Sequence, residues 1–144
     1  MQKLPHHYFA QAIGKPMGTV TTDSGDLQNL EIAAPIEFDG PGDKWSPEVL
    51  LIASVVDCLI LTFRAIASAS KLEWIHLRCE AKGTLDRVDK ITRFTEIHIK
   101  ASLDINSKSD KDKAFHLLEK AEQNCLITNS LTAQIHLDIE INIT

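Results

Sequence analysis

Three cysteines carry most of the reactive chemistry in this chain: Cys58, Cys79 and Cys125. A thiol becomes a nucleophile when it ionises, and a second thiol can resolve the sulfenic acid formed when the first is oxidised. The three lie far apart, with no Cys-x-x-Cys pair and no zinc-like spacing, so they do not read as a structural metal site. Cys79 falls on the apolar face of a predicted strand, where a free cysteine behaves as a small hydrophobe. Cys58 taken alone reads the same way. It lies in "PEVLLIASVVDCLILTF", where desolvation raises a thiol's pKa, and Asp57 raises it further if close. Cys125 differs, because it follows a predicted helix among the polar Asn124, Thr128, Asn129 and Ser130. The negative end of a helix dipole does not favour a thiolate. Cys125 therefore looks more like a resolving thiol than an attacking one.

The elements that must position these groups are legible in outline. Residues 8 to 38 read as short strands, with turn signals at Gly14–Pro16 and in "TTDSGD". "LEIAAPIEF" reads as a strand or two interrupted at Pro35, and Asp39 to Pro47 as a loop. A helix is expected next, with Ser46 as N-cap, Pro47 in the first position and Glu48 in the first turn. It should run to about Ser70, and its apolar residues on nearly every side predict a central, buried helix. The period then becomes two. Ile75, Leu77, Cys79 and Ala81 alternate with polar residues, as do Ile97, Ile99, Ala101 and Leu103 after a turn near "DRVDK". A second helix is expected from about Ser109 to Asn124, and a last strand over Ile135 to Ile143. The order predicts a single α+β domain over residues 1–144, with helices packed on antiparallel sheet.

Composition excludes several classes. The chain has 144 residues, 44% hydrophobic and 24% charged, with a net charge of -5. That balance argues against nucleic acid or an anionic membrane as partner, since both select basic surfaces. The longest apolar stretch, Val49 to Phe63, is 15 residues, against about 20 for a membrane span. The N-terminal "MQKLPHHYFAQ" lacks the apolar core of a signal peptide. A cytoplasmic location is expected, and with it reduced thiols.

Two segments together resemble a known family. "SPEVLLIASVVDCLILTFRAIA" is similar to the central-helix signature of the OsmC/Ohr proteins, with a Ser-Pro-Glu start and a cysteine ten residues after the glutamate. "LEKAEQNCLITNSL" is similar to that family's second cysteine motif. The resemblance implies the OsmC-like fold as an intertwined homodimer with sites at its interface. It also implies a thiol peroxidase that reduces organic hydroperoxides in oxidative-stress defence. Cys58 matches the peroxidatic cysteine, Cys125 the resolving one, and Glu48 the conserved-motif glutamate. An external dithiol, commonly the lipoyl group of a lipoylated protein, would be the reductant, and no metal or other cofactor is implied. Val55, Leu59, Ile60 and Phe63 flank Cys58 and are expected to form an apolar substrate wall. Ten helical residues rise about 15 Å. Glu48 therefore cannot touch Cys58 of its own chain, and a role for it implies the partner subunit.

The chain also departs from the pattern. The family usually has an arginine on an early strand, and here no arginine precedes Arg64. Lys15, in "AIGKPMGTV", occupies the matching stretch and is the candidate cation, with Lys44 another; lysine lacks arginine's fork of donors. Asp57 stands where a small neutral residue often precedes the cysteine. Arg64 reads as a surface cation on the opposite face of the helix. His6 and His7 read as a solvated tail, and His76, His98 and His136 as solvent-facing or helix-covered strand positions. Two functions follow: a peroxidase acting through Cys58 and Cys125, or a non-catalytic protein of the same fold that binds an apolar small molecule at the dimer interface.

Overall fold

The central helix forms from Pro47 to Ala69 (α1) in the computed structural model, which describes all residues from Met1 to Thr144. Ser46 caps it as expected: its Oγ accepts the Val49 N–H at 3.1 Å, and its carbonyl accepts the Leu50 N–H at 2.9 Å. At the other end Lys71 adopts a left-handed φ of 54°. Its N–H then reaches the Ser68 carbonyl, and the Leu72 N–H reaches that of Ala67, which satisfies the last carbonyls of the helix. By length and composition α1 could cross a bilayer. Here one stripe of it is packed into a protein core.

The chain divides into two units, Met1–Leu51 and Ile52–Thr144. The first holds a three-stranded antiparallel meander of β1 (Gln11–Ile13), β2 (Val20–Asp23) and β3 (Leu30–Ile32). The Thr21 hydroxyl donates to Glu31 across β2 and β3 at 2.8 Å. Ile36–Phe38 forms a single 3-10 turn, not the strand expected there. Pro35 starts it, Asp39 leaves it with a left-handed φ of 62°, and the Gly40 N–H closes it onto the Pro35 carbonyl. Only Ile32 and Ser46 are buried in this unit.

The second unit carries a three-stranded sheet in the order β4 (His76–Val88), β5 (Ile91–Ile105), β6 (Gln134–Ile143). β4 and β5 form an antiparallel hairpin. Its two-residue turn, Asp89–Lys90, has positive φ at both positions, the twist that suits a tight hairpin. β6 departs from the expected antiparallel arrangement and runs parallel to β5. The reason is the crossover: α2 (Lys111–Gln123) lies between them and returns the chain to the starting edge. A short helix, α3 (Leu126–Asn129), precedes β6 and was not legible as an element.

The alternation along β5 sorts its side chains between the core and the opposite face. Ile97, Ile99, Ala101, Leu103 and Ile105 of β5 are buried, and they join Val55, Leu59, Phe63 and Ala67 of α1 and Ala114, Leu118 and Ala121 of α2 in one core. Phe63 meets Trp74 edge-on, with ring centroids 5.4 Å apart. α1 buries this one stripe and not its whole circumference; Leu61 stays 57% exposed in the single chain.

Gly83 shows how closely helix and sheet approach. A Cβ there would lie 2.5 Å from Ile52 Cδ1 and 2.9 Å from Phe94 Cε1. We expect Gly83→Val to destabilise the protein by about 1–3 kcal/mol, because a packed interior resists added methyl groups. Urea unfolding followed by circular dichroism measures it.

Candidate active site

Cys58 lies on the shoulder of the core stripe. Helical residues advance by about 100°, so three positions after Val55 and one before Leu59 it is rotated off the buried line. It is accordingly half-buried, while Asp57 and Arg64 point to solvent. Thr62, one turn on, shares its face, and the two side chains approach at 3.8 Å between Sγ and Oγ1.

The second thiol arrives from the turn between α2 and α3. The Cys125 N–H bonds to the Glu122 carbonyl, and its own carbonyl accepts from the Asn129 N–H and the Thr128 hydroxyl. Asn124 and Asn129 donate their side-chain amides back to the carbonyls of Lys120 and Gln123. The polar residues that make this segment look like a loop are thus spent on fastening it. Cys125 is buried and occupies the N-cap position of the short helix Leu126–Asn129, without a side-chain capping bond.

The fold brings these two cysteines, 67 positions apart in the chain, close enough for each to shift the other's ionisation, and both are free. Burial pushes the Cys58 thiol up. The Ile127 N–H, the Cys125 thiol, the Thr62 hydroxyl and the Leu126 N–H outweigh it, and Cys58 falls below the ordinary thiol value. Burial pushes Cys125 up, and its bond to Cys58 and the charge there hold it protonated, against donors from Thr128. The pair is therefore polarised: Cys58 is the readier thiolate and Cys125 the donor. Cys79 is pushed up to about 11 by burial alone, which fits an inert structural thiol.

The expected cation is not among the groups that lower Cys58. Lys15 is an exposed residue of the first unit, just beyond β1. Lys44 sits beside Asp43 at 3.5 Å. The backbone N–H groups of Leu126 and Ile127 are among the groups that lower Cys58, and sequence reading does not find them because amides carry no residue signature. Thr62 was findable from its i+4 spacing.

Val55, Leu59 and Phe63, expected as a substrate wall, are fully buried and present no open surface. They face the core because their four-residue spacing puts them on the stripe that packs against β5. Glu48 is half-buried in the first unit, beside a hollow of about 330 Å³ also lined by Gly18, Val20, Ile32, Pro35 and Phe38. Its Oε2 is buried with no hydrogen-bond partner in the single chain.

Comparison with known proteins places these features in context. Residues 40–140 match the family described as OsmC-like protein. The uncharacterized protein YmaD of Bacillus subtilis is 27% identical over 143 residues, covering 96% of this chain and 95% of its own. The peroxiredoxin OsmC of Escherichia coli is 25% identical over 129 residues, covering 90% and 89%. An OsmC-like protein of unknown function from Vibrio cholerae superposes with a TM-score of 0.84 at 18% identity, over 94% of this chain and 99% of that one.

The polarised pair predicts an order of reactivity. We expect Cys58 to be alkylated at lower pH than Cys125, its rate rising with pH through a midpoint below that of a free thiol. Thr62→Val should move that midpoint upward and slow alkylation at neutral pH by up to roughly tenfold, the effect of one lost hydrogen bond. Iodoacetamide labelling read by peptide mass spectrometry measures both.

Proposed function

This chain belongs to the OsmC-like protein family, and from that membership we propose that it is a cysteine-based peroxidase that reduces organic hydroperoxides. The observation that carries the reading is the juxtaposition of the Cys58 and Cys125 thiols, with Cys58 shifted below the ordinary thiol value and Cys125 above it. The peroxiredoxin name of the Escherichia coli relative supports it.

The chemistry follows from the pair. The Cys58 thiolate attacks the distal oxygen of ROOH. An S–O bond forms, the O–O bond breaks, and the alkoxide leaves as alcohol after taking a proton. Cys58 is then a sulfenic acid. Cys125 attacks that sulfur, a disulfide forms, and the hydroxyl leaves as water with the Cys125 proton. An external dithiol, such as a lipoyl group, returns both cysteines to thiols. The protein contributes proximity and fixed donors, so the thiolate needs no metal or flavin.

The same reading includes a cytoplasmic homodimer. Several apolar side chains stand open in the single chain, among them Phe9, Trp45, Val49 and Leu61. A second copy that covers them would supply the burial that α1's sequence calls for. It would also give the unpartnered Glu48 carboxylate a neighbour.

We expect wild-type protein to consume an alkyl hydroperoxide in the presence of dihydrolipoamide. Cys58→Ser should abolish turnover by more than 100-fold, as loss of a nucleophile does. Cys125→Ser should stop after one equivalent and accumulate a sulfenic acid that dimedone traps. A wild type that leaves peroxide intact, with Cys58 still reduced, overturns the proposal. In sedimentation velocity the wild type should run as a dimer, and Leu61→Asp should shift it toward monomer.

A further inference from the structure

On the polar face of the second unit's sheet, away from the thiols' core side, three side chains stand together with their polar atoms unspent. Glu96 and His98 are two apart on β5, so they share a face. His136 of β6 is the registered partner of His98. The two imidazoles stack with centroids 4.3 Å apart and planes 11° from parallel. Glu96 reaches toward both: Oε2 lies 3.6 Å from His98 Nε2, and Oε1 lies 3.7 Å from His136 Nε2. One ligand atom from each residue falls within 4.8 Å of the other two.

The spacing is too long for hydrogen bonds, whose N···O distance is about 2.7–3.2 Å. The other end of the same strand pair shows the difference. There Asn142 donates to Ser102 and to Asp104 at 2.9 Å each, and His76 Nε2 meets Asp104 at 2.9 Å. That cluster is closed by its own hydrogen bonds. The Glu96–His98–His136 cluster is not, and His136 Nε2 is buried with no hydrogen-bond partner, Glu96 stopping 3.7 Å away. A buried nitrogen left unmatched costs free energy.

A metal ion accounts for the spacing. Two ligands at about 2.0–2.1 Å from a tetrahedral zinc ion lie roughly 3.3–3.4 Å apart. The observed N···O gaps exceed this by a few tenths of an ångström, which side-chain rotation closes. The parallel rings must also open, because a metal sits in the plane of each imidazole it binds. His98 is 53% exposed and free to swing. Two imidazoles and one carboxylate with an open fourth position suit zinc among the divalent ions. Lys82, across from His98 on β4, and Lys100, two residues on along β5, are the facing cations, and Asp138 and Glu80 offset them beside the same hollow.

We propose that Glu96, His98 and His136 bind a zinc ion on the outer face of the β5–β6 pair. The site is independent of the thiol chemistry, and its test uses no activity readout. Zinc titrated calorimetrically into the full chain carrying Cys58→Ser and Cys125→Ser, which removes the paired thiols and leaves only the half-buried Cys79, should bind at one ion per chain. His136→Gln or Glu96→Gln should weaken binding at least on the order of 10–100-fold, the loss that even outer-sphere changes cause. His6→Gln with His7→Gln should leave it unchanged. Nitrogen NMR of the imidazoles in the same double-cysteine background checks the ligands without further substitution, so misfolded variants do not decide the matter. Zinc should shift the Nε2 resonances of His98 and His136 together. No heat of binding, resonances that do not move, or binding lost only with His6 and His7 overturns the proposal.

Discussion

Everything at the thiol pair depends on which way α1 is turned. Val55, Leu59, Phe63 and Ala67 recur every four residues and sink into a core closed by β5 and α2. Burying each such side chain contributes about 1.5–3 kcal/mol, so the stripe fixes the helix azimuth firmly. With that azimuth set, Cys58 has one possible direction. It faces the turn where α2 ends and α3 begins, and it stays half-buried at the edge of the core. Leu118 and Ala121 bury α2 into the same core, which brings Cys125 to the helix from the other side. The thiol pair is thus a by-product of core packing.

The surroundings then divide the labour between two chemically identical groups. Cys58 receives donors from a backbone turn, a hydroxyl and the other thiol; Cys125 gives one. Desolvation acts against ionisation on both, and only Cys58 has enough donors to overcome it. Neutral dipoles suffice here because they are fixed before any charge appears. A flexible lysine must first be ordered, whereas the amides of Leu126 and Ile127 are ordered by the chain itself. The same packing that excludes water from Cys125 strengthens these bonds.

The outer sheet face obeys different rules. Its side chains are held by register and not by burial. At the Asp104 end the polar groups meet at hydrogen-bonding distance, and at the Glu96 end they stop short of it. A sheet delivers such groups in pairs because residues two apart share a face and parallel neighbours lie level. Small offsets therefore decide whether a cluster satisfies itself or leaves room between its members.

The sequence by itself determined the local elements and the candidate thiols. Ser46 and Pro47 announce the start of α1, the period-two alternation announces β5 and β6, and the two cysteine segments announce their family resemblance. These are short-range signals, written in spacings of two to four residues. The parallel pairing of β6, the 3-10 turn at Ile36–Phe38 and the short α3 were not legible, because each follows from how the chain closes in space. Val55, Leu59 and Phe63 were misread as a substrate wall for a related reason: apolar spacing identifies a face but not what covers it. Above all, only the tertiary structure decided which of the two cysteines is the more acidic. That choice rests on backbone N–H groups from residues nearly 70 positions away in sequence, and a backbone amide looks alike in every residue that carries one.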